Sequence, residues 1–73
     1  MYYNEKLQFI RESKNITQKE ISAHLNIKQQ QYSRYEKGIN LMPLTTFKKV
    51  CLYLNVSADS LLDLPKDLEH YDL

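Results

Sequence analysis

The sequence is poor in the residues that staple, break or span. It holds one cysteine, Cys51, so no internal disulfide can form and a reducing compartment is expected. Only one glycine, Gly38, and two prolines, Pro43 and Pro65, punctuate the 73 residues. No apolar run approaches the length that crosses a membrane. Met1 to Lys6 lack the charged and apolar regions of a signal peptide. The expected location is the cytoplasm, with no membrane partner. The G-x-S-x-G, phosphate-loop and dinucleotide patterns are missing as well. His24 has no Cys or His neighbour at metal-ligand spacing, and His70 lies in the tail. An enzyme, a cofactor and a metal site are all unexpected.

What remains is one small domain, stable by only a few kcal/mol and reliant on tight helix packing or a second subunit. The formal net charge of +1 hides an uneven distribution. Residues 1–56 carry nine Lys and Arg against four acids, a net +5; residues 57–73 carry one Lys against five acids, a net −4. A basic body with an acidic tail suits anion binding on one side, although mixed charge also keeps ordinary proteins soluble.

Three segments share a pattern: Asn15-Ile16-Thr17, Asn26-Ile27-Lys28 and Asn55-Val56-Ser57. Asparagine tolerates the left-handed conformation that ends a helix. The β-branched residue after it can staple the next helix, and the third residue is then the N-cap. That arrangement requires an apolar residue four past each cap, and Ile21, Tyr32 and Leu61 supply it. Thr17 and Glu20 add a capping box. Lys28 is the odd cap, because an ammonium cannot accept a hydrogen bond from the first turn.

The spacing predicts five helices and no strands. The first runs from about Asn4, as its cap, to Lys14 and buries Leu7, Ile10 and Phe9. The second spans Gln18 to Leu25, burying Ile21 and Leu25, with small Ser22 and Ala23 allowing close approach. A third runs from Gln29 to about Lys37 and stops at Gly38. The fourth takes Pro43 into its first turn, with Leu44, Phe47, Val50, Cys51 and Leu54 on one face. The fifth covers Ala58 to Leu62. Residues 1–64 form the domain, and residues 65–73 a short acidic tail that is either an interface or disordered.

Only about three residues, Asn26 to Lys28, join the second and third helices. A connection that short forces the sharp crossing of a helix-turn-helix unit. The second helix of such a pair lies in the major groove of DNA. Here Tyr32 and Tyr35 face the core, leaving Gln29, Gln30, Ser33 and Arg34 outside. Glutamine can bond adenine at N6 and N7 together, and arginine guanine at O6 and N7. Three consecutive glutamines would serve equally as a plain polar surface.

Four strings break that tie: Ile10-Arg11-Glu12; Ile16-Thr17-Gln18-Lys19-Glu20-Ile21; Tyr32-Ser33-Arg34-Tyr35-Glu36-Lys37-Gly38; and Leu54-Asn55-Val56-Ser57. From about Leu7 to Leu62 the sequence resembles the lambda-repressor-like helix-turn-helix family, also called the Cro/CI or XRE type. The resemblance implies a compact five-helix bundle that binds double-stranded DNA. It implies a phosphate contact for Gln18, and base-edge or adjacent backbone positions for Gln29, Gln30, Ser33 and Arg34. Arg11 and Glu36 match a structural ion pair joining the first helix to the end of the third. Lys37 and Asn40 fall where the family's loop nears the DNA backbone, and Lys19 and Lys28 offer further cations to phosphate. Departures are Asn15 and Asn26 for glycine, Ser22 for alanine, Lys28 for a Ser/Thr cap, and a proline shifted by one to Pro43.

The function so implied is sequence-specific transcriptional regulation, as a repressor bound as a homodimer to a palindromic operator. Leu61, Leu62, Leu64, Leu68, Tyr71 and Leu73 are the candidate dimer surface. Two alternatives stay open. One is the DNA-binding antitoxin of a toxin–antitoxin pair, with a toxin as protein partner; the other is an adaptor that binds proteins and no DNA.

Overall fold

The computed structural model describes residues 2–71. Asp72 and Leu73, counted above among the tail's acids and apolar groups, lie outside them. Five helices follow in order: α1 Tyr3–Ser13, α2 Gln18–Leu25, α3 Gln29–Glu36, α4 Leu44–Leu54 and α5 Ala58–Leu62, with no strand among the described residues. The all-helical architecture is the expected one.

Local chemistry explains the boundaries. Thr17 caps α2 by accepting from the Glu20 N–H at 3.0 Å, and the Glu20 carboxylate accepts from the Thr17 N–H at 3.2 Å. Ser57 caps α5 by accepting from the Ser60 N–H at 3.1 Å. Lys28 stands at the N-cap of α3 without any side-chain cap bond, as its chemistry requires.

All five helices end alike. Asn15, Asn26, Gly38, Asn55 and Asp63 have φ of 57°, 57°, 74°, 54° and 57°. The next residue, Ile16, Ile27, Ile39, Val56 or Leu64, donates its N–H to the carbonyl five back, at 3.0–3.1 Å. This 6→1 bond occupies a carbonyl that the helix end leaves free. The asparagines do this as their pattern suggests; Asp63 does it without having been anticipated.

The core is Leu7, Ile21, Leu25, Tyr32, Tyr35, Phe47, Val50, Leu54 and Leu61. The three residues expected four past their caps, Ile21, Tyr32 and Leu61, are fully buried. Within this frame α2 packs on α3 and α4, while α1 packs on α3 and α5.

Several expectations fail. Leu61, offered above as part of a dimer surface, is fully buried in the core and has no face left for a second copy. Asn4 is not the cap of α1; the helix starts one residue earlier, at Tyr3, behind an N-cap at Tyr2. The Tyr3 ring packs edge-on against Phe47 with centroids 5.9 Å apart, fixing that first turn, and Asn4 donates instead to the Glu36 carbonyl. Phe9 is 69% exposed, because it lies some 200° around α1 from Leu7 and the inward position of that turn belongs to Arg11. Leu44 is 80% exposed, since the buried face of α4 begins only at Phe47, one turn further on.

Candidate nucleic-acid interface

The eight residues of α3 divide cleanly between inside and outside. Tyr32, Tyr35 and Glu36 are buried, and Gln29, Gln30 and Arg34 are exposed with Ser33 half-buried. A buried carboxylate is costly unless its lone pairs are used. Glu36 uses them fully. Its Oε2 accepts from Arg11 Nε and from the Tyr32 hydroxyl, each at 2.6 Å. Its Oε1 accepts from Arg11 Nη2 and from Gln18 Nε2, each at 3.1 Å. Arg11 Nη1 also donates to the Ile16 carbonyl. One carboxylate therefore joins α1, α2 and α3, and no buried polar side-chain atom among the described residues lacks a partner.

The ionisation of these groups follows from their contacts. The hydrogen bond to Glu36 raises Arg11 above its ordinary value against the opposing effect of burial, so the guanidinium stays charged. Burial first, and Glu36 second, push the Tyr32 phenol far above the usual tyrosine range. Tyr32 is thus a permanent donor to the carboxylate.

With its inner face so anchored, α3 presents its outer face to a shallow depression of about 500 Å³. The depression is lined by Gln18, Gln29, Gln30, Ser33, Arg34, Lys37 and Ile39. It gathers all four expected base-facing residues, together with Gln18 and Lys37 from the expected backbone set. Lys19, Lys28 and Asn40 are exposed but do not line it. Gln18 lines the depression while its amide holds Glu36, so one side chain belongs to both the surface and the buried network. Ile39 was not expected there. The sequence pattern pointed the other way, because Gly38-Ile39 repeats the order of a left-handed residue followed by an aliphatic one, which at Ile16, Ile27 and Val56 packs against the core.

Outside this surface, His24 stacks on Tyr53 with ring centroids 4.2 Å apart. Cys51 is half-buried on α4, and burial pushes its thiol pKa up. Among the described residues no His, Cys, Asp and Glu group could hold a metal ion. No described helix is long and apolar enough to cross a membrane.

A helix-turn-helix family model matches residues 7–61, and the chain belongs to that family. It is also similar to the HTH-type transcriptional activator BcrR of Enterococcus faecalis, with 32% identity over 62 residues. The aligned region is 85% of this chain and 30% of that protein, so the chain spans less than a third of the relative's length. No solved structure matches the chain.

Proposed function

We propose that the chain is the DNA-reading part of a transcription regulator. In this reading it binds a palindromic duplex site as a homodimer and represses by occupying that site. The carrying observation is the polarity split of α3. A buried four-residue network fixes the inner face, and the outer face offers two glutamines, a serine and an arginine to one depression. Gln29 and Gln30 suit adenine, and Arg34 suits guanine. Gln18 and Lys37, at the edge of the same depression, would hold phosphates, with Lys19, Lys28 and Asn40 adding backbone contacts from beyond it.

One short helix covers few base pairs, so two copies on half-sites roughly 34 Å apart are the natural unit. The surface offered for pairing is α5 and the segment after it, where Leu62, Leu64, Leu68 and Tyr71 are exposed. A second reading concerns the direction of regulation. The related BcrR protein is named an activator, which favours activation from the bound site.

Selection from random duplexes at near-physiological salt tests the proposal. A palindromic motif should emerge, and Gln29→Ala/Gln30→Ala should relax base preference while non-specific affinity is nearly retained. Equal loss on every sequence would remove α3 as the reading element. No enriched sequence would reject DNA reading in favour of a protein partner. A reporter placed behind the recovered site then separates repression from activation by the sign of its response.

A further inference from the structure

We infer that Ile39 is a base-reading residue, its side chain covering the 5-methyl group of a thymine beside the base pair read by Arg34. The inference rests on the DNA-reading function proposed above and adds one residue to the reading set.

It starts from the five helix ends. Each left-handed residue is followed by an aliphatic one, and such a residue ordinarily packs against its own helix or the core. Ile16, Ile27 and Val56 do so, partly buried against the core cluster. Leu64 is 42% exposed at the end of α5. Ile39 is 66% exposed and lines the polar depression instead. Scattered exposed aliphatics are common and need no explanation. This one differs in position, as the apolar member of a lining otherwise made of Gln18, Gln29, Gln30, Ser33, Arg34 and Lys37.

Its placement is fixed, not incidental. The left-handed turn at Gly38, φ 74°, redirects the chain, and the Ile39 N–H donates to the Arg34 carbonyl at 3.0 Å. Branching at Cβ limits the side chain to few rotamers, so little freedom is lost on binding. Ile39 is thereby tied to the turn of α3 that carries the arginine.

The chemistry of the major groove supplies the ligand. Thymine alone among the bases displays a methyl group there. The polar residues of the depression recognise donors and acceptors and gain nothing from a methyl. An isoleucine beside them gains by excluding water from it, and it tells thymine from cytosine at a position hydrogen bonds leave open.

The test uses the duplex recovered by selection with the full chain, in which each thymine is replaced in turn by uracil. That change removes the methyl and nothing else. At one position per half-site the wild-type protein should lose about fourfold in affinity, the worth of one buried carbon. Ile39→Ala should bind the thymine and uracil duplexes alike while keeping its preference for the guanine assigned to Arg34. Ile39→Val, which keeps the branch, should retain part of the sensitivity and controls for misfolding. Uracil sensitivity unchanged in Ile39→Ala, or absent at every thymine in the wild type, would overturn the role of Ile39 while leaving DNA reading intact. Failure of the wild type to enrich any sequence would instead remove both.

Discussion

Around Glu36 three helices share one buried carboxylate, whereas α4 and α5 close the molecule with Phe47, Val50, Leu54 and Leu61 and an exposed ion pair, Lys6–Asp63. Both halves share one apolar core, and only the first adds a set of directed bonds to it. Apolar packing is non-directional and tolerates exchange of one shape for a similar one. A carboxylate with four directed donors tolerates neither loss nor displacement. The directional half is the one that carries α3. A helix with the reading role proposed for α3 must hold its angle and register, and geometry-demanding bonds fix both more sharply than oily contacts do.

The largest effect should come from breaking the directional half. Glu36→Ala leaves the Arg11 guanidinium buried without its partner and should cost about 3–5 kcal/mol, most of what so small a domain possesses. Replacing Arg11 and Glu36 together by apolar residues of similar volume should cost less than Glu36→Ala. Chemical denaturation of the three proteins checks the order, and a double variant weaker than the single one would show that an unpartnered Arg11 is not what makes Glu36→Ala costly.

Next comes the tolerant half. Leu54→Ala should cost about 2–5 kcal/mol through the cavity it leaves, but Leu54→Met less than about 1.5 kcal/mol. If the conservative exchange proved as damaging as the truncation, the contrast between the two halves would collapse. Removing one donor from the carboxylate is milder. Tyr32→Phe should cost about 1.5–3 kcal/mol, the range for a hydrogen bond to a charged group, and melting curves of the two proteins would read it directly.

The exposed pair should matter least. Its hydrogen bond to Lys6 holds Asp63 below the ordinary carboxylate range. A folded-state value lower than the unfolded one adds stability at neutral pH that fades as pH falls below about 4. Asp63→Asn should therefore slightly lower the melting temperature at pH 7 and leave it nearly unchanged at pH 2. An equal effect at both pH values would assign the loss to the left-handed turn instead of the charge.

How far the sequence could be read depended on the range of the interaction. Signals that act within one turn were legible: the Thr17–Glu20 box, the left-handed asparagines and the apolar residue four past each cap place α2 and α5 at their observed bounds. Signals that join distant residues were not, apart from the Arg11–Glu36 pair that the family resemblance implied. Asn4 has the chemistry of a cap, and only the fold shows that its partner is the Glu36 carbonyl, 32 residues away. The His24–Tyr53 stack, between α2 and α4, is invisible for the same reason. Phe9 misleads because hydrophobicity does not say which of several apolar residues in a turn faces inward when Arg11 claims the place. Among the base-facing candidates, Gln29, Gln30, Ser33 and Arg34 could be listed from helical phase alone. Ile39 lay beyond the helix end, where phase gives no guidance.

The outward residues of α3 have a further property. Among the described residues, the side chains of Gln29, Gln30, Ser33 and Arg34 donate to no protein group and accept from none, while Tyr32, Tyr35 and Glu36 hold the helix in place. The side chains that anchor the helix and those free to meet a partner lie on opposite sides of the same eight residues. Under the proposed DNA-reading role, such a helix works like a replaceable type face: its outer letters can be reset for another DNA text while the block that carries them keeps its shape and its melting temperature.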